Sequence, residues 1–242
     1  MVNIFKKKKK LSRECGIVFN DEKNRVTKES YIRLKDNILY SCLNGNKKVI
    51  QVESSVSNEA KTTTVANLAV SFGEDGKKVC VVDLDLRKPR SHRSFKIENK
   101  DGISDYVLGK IDENTLIKKT AYKNVDLINS GSDVPNSSVV LASDSLKNLL
   151  VKLRSQYDFI FVDCPPILIL SDYIHISRLT DGVLFIVAFG RTKKTQVRES
   201  IKLLKNSNIE LIGSAFTFYN PKKSNTHDSY YYYNYYGYDE KK

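Results

Sequence analysis

Short apolar runs alternate along the chain with stretches of helical period. VIQV at 49–52, KVCVVDLDL at 78–86, VDLI at 125–128, FIFVD at 159–163, GVLFIVAF at 182–189 and a last run over 211–218 read as strands. Apolar residues follow one another in the longer runs without polar alternation, the mark of strands buried on both faces. Between the strands, KESYIRLKDNILYSCL from Lys28 puts Tyr31, Leu34, Ile38 and Leu39 on one helical face. Val65, Leu68, Ala69 and Phe72 do the same for a helix that Gly76 ends. Further helices are predicted near 103–108, over 138–154 with Val140, Leu146, Leu149, Leu150 and Leu153 as apolar stripe, near 172–178 and near 195–204. Strands alternating with helices predict an α/β fold: a doubly wound, mostly parallel sheet flanked by helices. Such sheets bind ligands beyond the carboxyl ends of their strands.

The two ends of the chain lack this pattern. Residues 1 to about 24 are polar and aperiodic, and from Pro221 the chain turns polar again before reading YYYYNYYGYDEKK from Tyr230. The expected organisation is a basic, flexible N-terminal arm over 1–27, one catalytic domain over 28–220 and a disordered tyrosine-rich tail over 221–242. At 242 residues, 40% hydrophobic and 28% charged, the sequence suits a soluble globular protein with one substantial domain. No apolar run spans a bilayer, and the N-terminus has no secretory core. Cys15, Cys42, Cys80 and Cys164 are far apart and form no C-x-x-C pair, so buried thiols in a reducing cytoplasm are expected.

The formal net charge of +12 asks for a partner. Positive charge gathers at residues 6–10, all lysine, rather than along a DNA-reading helix, so nucleic acid is not expected. Beside Ile4 and Phe5, that run fits an anionic membrane surface or an acidic segment of a membrane protein.

The chemistry gathers after the first strand. VIQVESSVSNEAKTTT is a strand, a loop of small polar residues and a helix start, the setting in which Lys and Thr cradle nucleotide phosphates. Ser55 and Ala60 stand where G-x-x-x-x-G-K-[ST] has its glycines. Candidate nucleotide-binding residues are Ser55, Asn58, Glu59, Ala60, Lys61, Thr62 and Thr63. Asp83 and Asp85 lie two apart in an extended segment and point to one side, and Asp163 closes another strand at the same sheet edge. A nucleotide triphosphate brings Mg²⁺, a hard ion that takes oxygen ligands. The Thr62 hydroxyl and Asp163 are placed to supply them. Of the aspartate pair, one carboxylate can accept a proton from an attacking hydroxyl while the other orients metal-bound water. Arg87 can stabilise phosphate charge or lock an acid in place. Acids that merely cap neighbouring helices are the plain alternative.

VCVVDLDLRKP resembles the Walker A′ motif of bacterial tyrosine kinases, and FIFVDCPP resembles their Walker B motif. The likeness extends through NLAVSF, the SGSDVPN turn, YDFIFVDCPPIL, the Asp172 region and the tyrosine-rich C-terminus, and so covers nearly everything after Lys28. The best fit is the cytoplasmic kinase of Gram-positive two-chain systems controlling capsule and exopolysaccharide synthesis. The resemblance implies a P-loop NTPase scaffold, related to ParA and MinD, that uses ATP and Mg²⁺ to phosphorylate tail tyrosines: Tyr230, Tyr231, Tyr232, Tyr233, Tyr235, Tyr236 and Tyr238. It implies Lys61 on the β- and γ-phosphates, Thr62, Asp85 and Asp163 as metal ligands, Asp83 as general base and Arg87 in the catalytic set. It also implies homo-oligomeric rings in which one tail enters a neighbour's site, activation by the cytoplasmic tail of a membrane adaptor of the polysaccharide co-polymerase type, a cognate tyrosine phosphatase, and a place at the inner face of the membrane.

Several positions depart from the family. Asn58 and Ala60 replace loop glycines. The ring-forming E-x-x-R-x-x-R becomes Glu29, Ile32 and Lys35 with Arg33 displaced, and lysine lacks arginine's bidentate fork. Thr217 stands where relatives often have asparagine. The alternatives are a degenerate kinase scaffold with weak ATP use and a ParA/MinD-type partitioning ATPase, though the signature lysine of the latter is Val56 here.

Overall fold

The computed structural model describes residues 16–20, 24–43 and 47–219. The lysines at 6–10, Cys15 and all the tail tyrosines lie outside the described residues. A 3₁₀ turn (Val18–Asn20) precedes α1 (Arg25–Cys42), and the rest alternates: β1 (Val49–Ser54), α2 (Lys61–Glu74), β2 (Val79–Asp83), α3 (Ser91–Phe95), α4 (Ile103–Val107), α5 (Glu113–Leu116), β3 (Lys118–Lys119), β4 (Val125–Ile128), α6 (Ser137–Leu141), α7 (Asp144–Gln156), β5 (Phe159–Asp163), α8 (Tyr173–Ile176), β6 (Gly182–Ala188), α9 (Lys194–Asn206) and β7 (Leu211–Thr217). The sheet order is β3-β4-β2-β5-β1-β6-β7, parallel throughout except where the two-residue β3 pairs antiparallel with β4 at one edge. This is the doubly wound, mostly parallel sheet that the alternation predicts.

The continuous apolar strands sit in the middle, as burial on both faces requires. Every residue of β1, β2 and β5 is buried. On one face, Ile50, Val52, Val81 and Phe161 pack under α1 and α2 around Phe72, whose ring lies 5.2 Å from that of Phe161. On the other, Val82, Ile160 and Val162 meet Ile103, Leu116 and the stripe of α7, Leu146, Leu149, Leu150 and Leu153. Parallel register sets Asp83 of β2 beside Asp163 of β5, so the acids of two strands end at one level.

Two expectations are corrected. The helix predicted over 138–154 is two helices, because Ser143 accepts the amide of Leu146 at 3.2 Å and starts a new helix where the first ends. The arm expected over 1–27 is not free along its length. The Val18 N–H donates to Asn67 Oδ1 at 2.8 Å, Asn67 Nδ2 donates to the Gly16 carbonyl at 3.1 Å, and Ile17 and Phe19 pack on the core. Ile17 and Phe19 supply the apolar contacts that seat the segment beside α2. Cys42, Cys80 and Cys164 are free and buried, as their apolar surroundings predict.

Candidate active site

β1, β2 and β5 end together, and the loops that leave them enclose a cleft of about 500 Å³. Asn58, Glu59, Ala60, Lys61, Thr62 and Thr63 line one wall, Asp85 and Arg87 another. Ile169, Leu170, Arg191 and Phe218 complete it.

The loop over 55–60 has the left-handed turns its missing glycines would have eased. Asn58 has φ 65° and Ala60 φ 62°. Asparagine tolerates this region, but alanine there costs about 1 kcal/mol. The surrounding chain holds the loop in this shape. Glu59 is buried, and its carboxylate accepts the Val56 amide at 2.9 Å and the Thr192 hydroxyl. Thr217, at the end of β7, donates its hydroxyl to the Glu59 carbonyl at 2.8 Å. Ser55 is fully buried and meets Ser200 of α9 at 2.9 Å, so its side chain points away from the cleft. Of the residues expected to bind nucleotide, Ser55 alone is absent from the cleft wall.

Lys61 opens α2 and turns its ammonium to Asp163, Nζ to Oδ1 2.6 Å, with both groups buried. Burial works against this ammonium, but Asp163 and Asp85 more than offset it and hold its pKa above the usual lysine range. The other oxygen of Asp163 accepts the Ser91 hydroxyl at 3.1 Å. Asp163 is thus a shared node rather than a bare acid.

Asp83 is buried, and its oxygens take three backbone amides, those of Asp85 at 3.1 Å, Arg90 at 3.2 Å and Ser91 at 3.0 Å. Burial and the adjacent Asp163 push its pKa up to about 8, against the pull of the Ser91 amide. Asp85 opens onto the cleft; burial also raises its pKa, with Lys61 opposing. Arg87 reaches Asp172, Nε to Oδ2 3.8 Å, and so locks a buried acid that also accepts the Ser137 hydroxyl. The capping alternative therefore holds in part, since Asp83 does organise the turn leading into α3. Glu53, on β1, is buried with no hydrogen-bond partner for either oxygen among the described residues. Burial lifts its pKa to about 8 despite Lys61 nearby.

Several participants escape a reading of the sequence. Ser91 and Arg90 follow D-x-D-x-R closely enough to be guessed, and Arg90 Nη1 also approaches Asn58 Oδ1 at 3.4 Å. Thr192, Arg191 and Phe218 carry no local signal. The Arg191 guanidinium lies 3.6 Å from the Phe218 ring centre, and Phe218 itself has φ 57°. On α1, Lys35 turns inward to Asp75 at 3.1 Å and Arg33 pairs with Glu29 at 3.7 Å, so the altered ring segment is engaged within its own chain.

The residues present suit a nucleotide triphosphate and Mg²⁺. Thr62, Asp85 and Asp163 are hard oxygen donors, and the first turn of α2 presents backbone amides behind a buried lysine.

Comparison with known proteins agrees with this geometry. Residues 47–189 match the family model described as an AAA domain. The chain is 31% identical over 218 residues to the tyrosine-protein kinase YwqD of Bacillus subtilis, covering 90% of this chain and 91% of that one. It is 28% identical over 225 residues to the putative tyrosine-protein kinase CapB of Staphylococcus aureus, covering 93% and 97%. The solved structure of the chimerical protein CapA2B2 superposes with a TM-score of 0.79 at 26% identity, covering 83% of this chain and 88% of that one.

Proposed function

We infer the activity from one premise: the chain belongs to the family of bacterial tyrosine-protein kinases, built on an AAA-domain scaffold. It is an ATP-dependent protein-tyrosine kinase that transfers the γ-phosphate to tail tyrosines of a neighbouring copy, Tyr230, Tyr231, Tyr232, Tyr233, Tyr235, Tyr236 and Tyr238 among them. It serves capsular or exopolysaccharide synthesis. Residues 28–220 act as the kinase domain and 221–242 as its substrate. The observation that carries this reading is the meeting of Lys61, Thr62, Asp85 and Arg87 in one cleft above Asp83 and Asp163.

Lys61 leaves Asp163 to hold the β- and γ-phosphates, which the amides of 58–63 cradle. That exchange frees a carboxylate, so Asp163, Asp85 and the Thr62 hydroxyl can hold Mg²⁺. The ion supplies charge neutralisation on the phosphates when bound. Arg87 steadies the charge that builds on the transferred group. Asp83, once ionised, accepts the proton of the incoming tyrosine; the burial and the adjacent Asp163 that raise its pKa make that carboxylate a stronger base than an ordinary aspartate.

The same reading places the chain at the inner face of the membrane through an adaptor's cytoplasmic tail, with a tyrosine phosphatase reversing its product. Lys35 and Arg33, engaged within α1 and with Asp75, speak against the arginine-based ring contact. Ala60 favours a second reading, a kinase-fold scaffold with weak ATP use, because its methyl lines the cleft where a glycine would let the loop backbone approach phosphate more closely.

One experiment separates them. Purified chain incubated with MgATP and the adaptor segment should gain tail phosphotyrosine, at a rate lowered about a hundredfold or more by Lys61→Ala. A tail without phosphate in the presence of the adaptor segment establishes the scaffold instead. Transfer between copies is checked by mixing Lys61→Ala chain with chain lacking its tail. Phosphate should then appear on the Lys61→Ala chain, and its absence assigns the reaction to a single chain.

A further inference from the structure

Helix α9 carries a charged face that the active site does not use. Lys194, Arg198, Lys202 and Lys205 are all exposed, and none has an ion-pair partner among the described residues. At about 100° per residue they fall within one narrow strip of the helix, roughly 16 Å long. Ser200 and Leu204 face the opposite way into the core. The helix holds one acid, Glu199, which lies to the side of the strip. Local helix chemistry accounts for Lys205, which lies in the last turn, but not for the cations before it. The first turn contains Lys194, preceded by Lys193, and no acid, so positive charge meets the positive end of the macrodipole. Such an arrangement favours an anionic partner over an isolated helix.

The chain itself leads one candidate to this strip. Tyr219 packs its ring 5.0 Å from Phe189, and Phe189 lies five residues before α9. The described chain therefore ends near the start of the basic face. Tyr230 comes eleven residues later, a span that can reach roughly 36 Å, over twice the length of the strip. Lys222, Lys223, Lys241 and Lys242 against Asp228, Asp239 and Glu240 leave the unmodified tail with no net negative charge to offer. Each phosphotyrosine adds about −1.5 to −2. Charge complementarity thus arises only after phosphate transfer.

We propose that the basic face of α9 binds the phosphorylated tail and so withdraws finished tyrosines from the cleft. Its strength grows with the number of phosphates, since four cations along the strip can each meet phosphate oxygens. The source of the phosphotyrosine rests on the kinase reading; the binding surface does not.

The test uses a synthetic fluorescent peptide of residues 221–242 phosphorylated at Tyr230, Tyr232 and Tyr235, titrated into full-length, phosphatase-treated chain freed of the phosphatase. Anisotropy should show saturable binding that the unphosphorylated peptide lacks. Combined Lys194→Glu, Arg198→Glu and Lys202→Glu should weaken it about tenfold or more, while Lys77→Glu with Lys78→Glu leaves it unchanged. Arg198→Gln alone, which preserves the helix, should weaken it several-fold. Equal binding to wild-type and triply reversed chain overturns the proposal. So does loss in Arg87→Ala with Lys88→Ala instead, which would place the phosphopeptide in the cleft. Phosphatidylserine vesicles provide the remaining contrast: if the triple change abolishes vesicle binding but spares the phosphopeptide, the strip is a membrane surface. Because the peptide is phosphorylated chemically, its failure to bind leaves the kinase reading intact, and a chain that fails to phosphorylate itself leaves the binding result intact.

Discussion

The phosphate loop and the acid edge of the same cleft are built by opposite means. Residues 55–60 lack the glycines that make such a loop easy, and Ala60 sits at φ 62° all the same. The shape comes from outside: Glu59 ties Val56 and Thr192 together, Thr217 holds the Glu59 carbonyl and Ser200 holds Ser55. The acid edge needs little such help. Strand pairing puts Asp83 level with Asp163, and the 85–91 turn folds around Asp83 through its own amides. A catalytic loop can therefore keep its form without its usual residues when tertiary clamps oppose the strain, whereas residues at strand ends are placed by the sheet itself.

The strongest way to break this contrast is at the shared node. Asp163→Asn leaves the Lys61 ammonium buried without its partner, and removal of one half of a buried pair costs about 3–5 kcal/mol. Denaturant melts should show that loss together with loss of tail phosphorylation. A change under 1 kcal/mol would mean that water reaches the pair freely.

Glu59→Ala probes the clamps next. It removes the acceptor for Val56 and Thr192, so nucleotide affinity should fall about tenfold by calorimetry, while stability drops about 1–2 kcal/mol. Unchanged affinity would show that the loop holds its shape without Glu59. Ala60→Gly acts in the other direction. Removing the methyl where the loop backbone approaches phosphate should tighten nucleotide binding about threefold to tenfold. Relief of left-handed strain, reduced by the entropy glycine adds to the unfolded chain, changes folding stability by less than about 1 kcal/mol. Equal affinity would mean that the methyl and its φ are neutral towards phosphate.

The smallest effect is the pH dependence. Glu53 and Asp83 have native pKa values of about 8 against ordinary values of 4.5 and 3.8. Between those limits the native carboxyls keep protons that the unfolded chain has lost, so their contribution to stability falls as pH rises towards 8. Glu53→Gln should flatten the decline and raise the melting temperature at pH 8 by about 2 °C or more. A variant that melts in parallel with the wild type at every pH would assign the dependence to other groups.

What the sequence determined alone is the sheet and its acids. Near-continuous apolar strands alternating with amphipathic helices admit few packings, and Asp83 and Asp163 close two neighbouring strands, whereas Asp85 lies in the turn two residues past the end of β2. The lysine and threonine at 61 and 62 were legible for the same reason, since they directly follow a strand and a short loop. Tertiary structure decided the rest. Nothing local links Glu59 to Thr192 or Thr217, which lie 133 and 158 residues further on. Nor does any local pattern show that Lys61 rests on Asp163, that Ser55 turns away towards Ser200, or that residues 16–20 fold back onto Asn67. Each of these rests on contacts between elements distant in sequence, with no period to announce them. Once the sheet has formed, burial leaves each such group few partners within reach.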